Sequence, residues 1–172
     1  KFWGDENGEK YHKAYFTKFK NIWHHGDFIE RTVNNGFIMR GRSDATLNPG
    51  GVRIGTSEIY QQVEDIDFIN EGLVVGQDYK NDIRIVLFVT TKNNKELNDE
   101  KIKFIKTRIR KNCSPKHVPS LIIKAPEIPR TKSGKIVELA VKKIINGEEI
   151  NNVESIANPQ SLKFFKNLEQ LK

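Results

Sequence analysis

The sequence predicts an α+β fold. It reads as a small two-layer domain, a short mixed or antiparallel sheet with flanking helices, preceded by a β-hairpin that belongs to another body. Three observations carry this. From about residue 45 to 147, apolar residues follow strand and helix periods in the order strand, strand, helix, strand, helix. Ahead of that order, Asn35-Gly36 separates two short apolar runs, a hairpin signal because both residue types tolerate positive φ. Between hairpin and domain, Gly41 to Gly55 contains four glycines and Pro49, the composition of a link or hinge.

Residues 1 to 26 are aromatic, Gly-rich and irregular, and Trp3, Tyr11, Tyr15, Phe16, Phe19 and Trp23 have no core of their own nearby. They read as material that packs on something else. The hairpin takes Asp27 to Thr32 and Phe37 to Arg40. A helix starts near Thr56-Ser57 and runs through Glu58, Ile59 and Val63. Leu73 to Gly76 and Ile83 to Thr90 are strands flanking a polar turn over 78–82. The clearest helix is Asp99 to Lys111. Asn98 caps it, Leu97 staples onto Ile102, and Ile102, Ile105 and Ile109 share one face. Ser114-Pro115 stops it. Leu121 to Ile123 is a short buried strand. Pro126 to Lys135 is a Pro, Gly and Lys-rich loop, and Val137 to Ile145 is helical with Gly147 as its stop. In the polar tail from Glu148, Leu162, Phe164, Phe165 and Leu168 form an apolar group suited to docking as a short helix.

Composition excludes several classes. With 37% apolar residues, 10 Phe and 2 Trp in 172 residues, the chain can build a core. The run Ile85 to Val89 is far shorter than the ~18 residues that cross a bilayer, and no secretory signal follows the N-terminus. The single cysteine excludes an internal disulfide, which fits a reducing cytoplasm. Lys1 in place of Met points to a piece of a longer protein. A net charge of +7 points to nucleic acid, a nucleotide or another anion, or simply to a basic solvated surface. Aromatic residues do not interleave with the basic ones, as base stacking requires.

Three segments can carry chemistry. Arg130-Thr131-Lys132-Ser133-Gly134-Lys135 fails the Walker pattern, because Pro129 stands for its first Gly and Ile136 for its Ser/Thr. It still presents a mobile lysine beside a glycine, suited to a phosphate or carboxylate, or to plain solvation. Around the Gly-rich link, Arg42 and Arg53 offer guanidinium forks for phosphate or ribose oxygens, and Asp44 among small residues suits a pivot. An interdomain linker with surface arginines has the same composition. In His24-His25-Gly26-Asp27 the adjacent histidines lack a third ligand at metal spacing, so no metal site is expected. Asp27 suits either a sugar's two hydroxyls or a turn cap. Cys113 reads as a partly buried small residue rather than a nucleophile.

Together these segments resemble the C-terminal part of the adenylate-forming acyl-CoA synthetase superfamily. Trp23-His24-His25-Gly26-Asp27 is similar to the family's Tyr-x-Thr-Gly-Asp element, with His25 in place of Thr. Gly41-Arg42-Ser43-Asp44 through Gly51-Val52-Arg53-Ile54 to Glu58-Ile59 is similar to its hinge element. Pro129 to Lys135 is similar to its Pro-x-Thr-x-Ser-Gly-Lys loop. Ser114 to Pro119, Ala140 to Ile145 and Asn158 to Leu162 extend the likeness toward an acetoacetate-activating branch. Leu47-Asn48 with Gly55 to Glu58 is shared with acetyl- and propionyl-activating members.

The resemblance implies an ATP-dependent acid–CoA ligase, cytoplasmic, that works through an acyl-adenylate with ATP, CoA and Mg2+. Its acid would be acetoacetate or another short carboxylic acid. Residues 1–43 would be the edge of a missing N-terminal adenylation domain, 44–147 the mobile C-terminal domain and 148–172 a tail. The chain alone would then be inactive, with neither nucleic acid nor membrane as partner. By the same resemblance, Asp27 binds the ribose hydroxyls, Arg42 ribose or phosphate, and Arg53 phosphate. Asp44 is the hinge, Lys135 the adenylation lysine, and Gly50 and Gly51 line the path of the pantetheine arm. Arg110 meets the phosphate end of CoA.

Overall fold

In the computed structural model, which describes residues 2–150 and 152–172, the chain runs α1 (Glu9–Tyr15), β1 (Asp27–Arg31), β2 (Phe37–Arg42), α2 (Thr56–Val63), β3 (Ile69–Tyr79), β4 (Asp82–Thr91), α3 (Asp99–Asn112), β5 (Leu121–Lys124) and α4 (Glu138–Ile145). Short 3-10 turns fill the links, and three of them make up the tail. The fold is α+β, as expected. Strands β3, β4 and β5 form a mixed sheet in that order, antiparallel between β3 and β4 and parallel between β4 and β5.

The β3–β4 hairpin is longer than its apolar stretches foretold, pairing from Tyr79 with Asp82 down to Ile69 with Thr91. Its turn shrinks to Lys80-Asn81, both at positive φ (49° and 63°). Such a two-residue turn matches the strand twist, so pairing continues through the polar residues beside it. The β1–β2 hairpin goes the other way. Its connection is Thr32 to Gly36, closed by the Thr32 N–H on the Gly36 carbonyl at 2.9 Å, and Asn35 alone takes positive φ (59°).

The layering is three rather than the expected two. Ile85 to Val89 of β4 is apolar without interruption, so both faces of the strand need cover. On one face, Ile85, Leu87 and Val89 pack with Val74, with Ile59 and Val63 of α2, and with Ile105 and Ile109 of α3. On the other, Val86 and Phe88 pack with Leu73 and Val75, Val141 of α4, and Phe165 and Leu171 of the tail. α3 forms as its sequence signals require: Asn98 Oδ1 accepts the Lys101 N–H at 3.1 Å, and Leu97 and Ile102 pack on the same core.

The tail docks as 3-10 turns instead of one helix. Asn158 pins it, accepting the Arg130 N–H at 2.8 Å and donating to the Ile128 carbonyl at 3.0 Å. At its end, the Leu171 carbonyl accepts from Gln77 (2.9 Å) and Arg84 (2.7 Å). Phe165 stands edge-on to Phe88 at 4.9 Å between ring centres.

Sequence reading missed α1. Asp5 starts it, its carboxylate accepting the N–H groups of Lys10 and Tyr11 at 2.9 Å each. Phe2, Tyr11, Tyr15 and Trp23 meet edge to face around it, yet Phe2, Tyr11 and Trp23 remain exposed. So do Ile29, Phe37 and Met39 of the hairpin.

One polar bridge crosses between layers. The Tyr60 hydroxyl on α2 donates to Glu138 Oε1 on α4 at 2.5 Å and accepts the Val74 N–H of β3 at 3.1 Å. Withdrawal from water pushes the Glu138 carboxyl up; the Tyr60 bond works against this, the Asp44 charge adds to it and Arg42 offsets it.

Two predictions arise. Phe165→Ala should destabilise the fold by about 3–5 kcal/mol, read as a lower urea midpoint; an unchanged midpoint would detach the tail from the core. For Glu138 the folded pKa is raised, so its relative stabilisation is complete below the ordinary glutamate range and is lost as pH rises through the elevated value. Glu138→Gln keeps an acceptor for Tyr60 and removes the charge. Its stability should match the wild type near pH 4 and exceed it near pH 7, measured as Tm across pH; a constant gap would contradict this.

Candidate functional site

The hairpin brings two of the motif segments together. Asp27 opens β1 and pairs across with Arg42 at the end of β2, and the Ser43 N–H reaches the Gly26 carbonyl at 2.8 Å. Gly26 is needed at this junction. Its φ is +92°, and a Cβ there would lie 3.4 Å from the Arg42 guanidinium.

Arg42 makes a forked pair with Asp44, Nε to Oδ1 at 2.9 Å and Nη2 to Oδ2 at 2.8 Å. The fork raises the pKa of the guanidinium and holds the Asp44 carboxyl below the usual aspartate range. Asp27 is hydrogen-bonded to His25 Nδ1. His25 is thus a partner of Asp27, and His24 Nε2 lies 3.3 Å from Lys18 Nζ. An open cleft of about 400 Å³ runs along this junction, lined by Tyr15, Trp23, His25, Arg42, Ser43 and Asp44. It offers the Arg42 guanidinium with its Asp44 partner and aromatic walls, the chemistry that suits a phosphate beside a ring; Asp27 pairs across from Arg42 and is not among the cleft's lining residues.

Arg53 follows the Gly-rich turn and returns to the hairpin. Its guanidinium sits over the Phe28 ring at 4.7 Å from the centroid, next to Asp27 in the chain. The hairpin is locked to the domain at Gly55, where a Cβ would lie 2.3 Å from the Arg40 carbonyl oxygen, so only glycine fits. Ser57 Oγ donates to that same carbonyl at 2.8 Å.

Lys135 stands apart. Its loop is a tight hairpin: the Thr131 N–H donates to the Lys135 carbonyl (2.8 Å), the Lys135 N–H to Thr131 Oγ1 (3.0 Å), and Gly134 takes φ +82°. Arg130 braces it, donating to the Gly134 carbonyl at 2.5 Å and to Glu71 at 2.7 Å. The ammonium is exposed, and no hydrogen bond or ion pair among the described residues joins it to Asp27, Arg42 or Asp44. α4 begins at Glu138, so Lys135 lies just ahead of the helix rather than opening it.

Gly50 and Gly51 form a turn at positive φ (56° and 77°). Arg110 is exposed on the last turn of α3, opposite the buried Ile105 and Ile109. Cys113 donates to the Glu58 carbonyl at 3.7 Å, and burial pushes its thiol pKa up, the opposite of an activated nucleophile. Sequence reasoning missed the Tyr60–Glu138 bridge. Its partners lie 78 residues apart, and neither belongs to a motif. Among the described residues no group of three His, Cys, Asp or Glu could hold a metal ion, and no helix is long and apolar enough to cross a membrane.

No family model matches the chain. Curated relatives do. The chain is 54% identical over 171 residues to the acetoacetyl-coenzyme A synthetase of Rhizobium meliloti strain 1021 and 47% identical over 173 residues to the acetoacetyl-CoA synthetase of Danio rerio. Each match takes in 99% of this chain and 26% of the relative, so the chain spans about a quarter of their length. Among solved structures, the acetoacetyl-CoA synthetase from Streptomyces lividans superposes with a TM-score of 0.89 at 39% identity, covering 99% of this chain and 26% of that one. Over 99% of its length the chain is similar in sequence and in fold to the C-terminal portion of the acetoacetyl-CoA synthetases.

Proposed function

We propose that the chain supplies the hinge, the adenylation lysine and part of the CoA surface of an ATP-dependent ligase that makes acetoacetyl-CoA. The observation that carries this is the junction itself. Arg42 and Asp44 line an aromatic cleft, Asp27 pairs across the hairpin from Arg42, and 99% of the chain aligns with a quarter of an acetoacetyl-CoA synthetase.

In the first step a carboxylate oxygen of acetoacetate attacks the α-phosphorus of ATP and pyrophosphate leaves. Negative charge grows on the phosphoryl oxygens, and a positioned ammonium stabilises it. Lys135 is that ammonium, carried on a loop whose own hydrogen bonds keep it extended into solvent. Asp27 accepts from the ribose hydroxyls, Arg42 donates to ribose or phosphate, and Arg53 donates to phosphate. Magnesium on the ATP phosphates would share that negative charge. In the second step the CoA sulfur attacks the acyl carbonyl and AMP leaves. This step needs the Gly50-Gly51 turn, with Arg110 toward the CoA phosphates, and does not need Lys135.

Asp44 is the pivot between the steps. Its pair with Arg42 is exposed, and exposed ion pairs contribute little net stability, about 0–1 kcal/mol. Arg42 can exchange Asp44 for a nucleotide without a large penalty. Residues 1–43 then belong to the adenylation domain, 44–147 to the moving domain and 148–172 to its tail. The acid pocket lies in the remaining three quarters of the relatives' length, and the site of action is the cytoplasm.

The test uses the full-length protein. Lys135→Ala should slow acetoacetate-dependent exchange of pyrophosphate into ATP by roughly 10²–10³-fold while leaving thioester formation from preformed acetoacetyl-adenylate nearly intact. Equal loss in both assays would end the proposed division of labour.

A further inference from the structure

The turn Pro49 to Gly51 is held from two sides by residues given no site role above, Asp82 and Lys116. On one side is Asp82, the first residue of β4. Both of its carboxylate oxygens accept the Gly50 N–H, at 2.9 and 3.0 Å, and Oδ1 also accepts the Ile83 N–H at 2.7 Å. These N–H groups, with Lys116 nearby, hold its carboxyl below the ordinary aspartate range. On the other side is Lys116, whose ammonium lies 2.7 Å from the point a Gly50 Cβ would occupy.

Lys116 is itself placed by a relay. Ser114 Oγ accepts the Lys116 N–H at 3.2 Å and lies 2.8 Å from His117 Nδ1. His117 Nε2 lies 3.2 Å from Glu58 Oε2, and Glu58 Oε1 accepts the Gly55 N–H at 3.1 Å. Gly55 is the residue pressed on the Arg40 carbonyl of β2. A continuous path thus leads from the strand before the hinge, through α2 and the 115–117 turn, to the Gly50 backbone. Such a turn would otherwise be soft, because two consecutive glycines at positive φ have little intrinsic preference.

Resting on the ligase reading above, we propose that Asp82 and Lys116 are positioning residues for the thioester-forming step alone. They act through the Gly50-Gly51 backbone, fixing the edge along which the CoA arm must pass. A carboxylate that grips a backbone N–H with both oxygens sets the turn's direction. The lysine beside it fills the space above Gly50 and places a positive charge next to the turn, suited to the anionic end of the same ligand. Neither residue touches Lys135, Arg42 or Asp27 among the described residues, so adenylation does not depend on them.

The experiment uses the full-length protein and two assays, acetoacetate-dependent pyrophosphate exchange and CoA-dependent thioester formation. Asp82→Ala and Lys116→Ala should each raise the KM for CoA by roughly tenfold, as loss of a charge-assisted hydrogen bond would, with exchange unchanged within about twofold. Unchanged CoA kinetics in both variants, with a wild type that makes thioester, would overturn the proposal alone. A wild type that catalyses neither reaction would overturn the ligase reading itself. If Asp82→Ala lowers both rates, Asp82→Asn decides, because it keeps the shape and one acceptor. A selective rise in its CoA KM supports the positioning role, and equal loss of exchange and thioester formation refutes it.

Discussion

The constraint on which the fold depends is β4. Five consecutive apolar residues on a strand cannot turn one face to water, so the sheet must be covered on both sides. α2 and α3 cover one side. α4 alone is too short for the other, at eight residues. The tail completes it with Phe165 and Leu171, whose removal would leave Phe88 and Val86 exposed. The tail's polar composition hides this task. Its few apolar residues are spaced for 3-10 turns around the end of α4, and Asn158 stitches their start to the Lys135 loop.

The hinge is built in the opposite way. Its firm element is steric: Gly55 against the Arg40 carbonyl leaves no room for a side chain and fixes where α2 meets the hairpin strand. Its soft element is electrostatic: the Arg42–Asp44 fork is solvent-exposed and therefore exchangeable. A joint needs both kinds of contact. Under the proposed reading, the Gly55–Arg40 packing registers the two bodies in this arrangement and must part when the domain turns, while the weak pair lets a nucleotide compete for the arginine.

Elements with strong local signals were legible in the sequence. α3 shows a capping asparagine, an apolar stripe and a Pro stop, and it forms where these place it. The motif residues Asp27, Arg42 and Asp44 were legible as a group, because a hairpin must bring 27 and 42 together. What was not legible depended on distant partners. The third layer required the tail to fold back across more than 70 residues onto β4. α1 is seven residues long, opens after a glycine, and is started by Asp5 from outside the helix. Tyr60 and Glu138 look like ordinary helix residues until the sheet brings α2 and α4 to the same end. The hairpin around Asn35-Gly36 forms, but its connection is five residues closed by Thr32, with Asn35 alone at positive φ, because Thr32 and Gly36 bond across the loop.

The two chemistries lie on opposite faces of the sheet. Leu47 and Ile54, paired on either side of Gly50-Gly51, are buried in the core under α2 and α3. Ile136, next to Lys135, packs into the core under α4 and the tail. β4 separates these cores, so the two segments are anchored on different sides of the sheet. Under the proposed reading, the acyl-adenylate stays in the partner domain, so the C-terminal domain must rotate between steps. Two-sided burial of β4 therefore does more than stabilise the fold: it anchors the segments that carry Lys135 and Gly50-Gly51 in separate cores, and under the proposed reading a turn at Asp44 brings each to the intermediate in its own step.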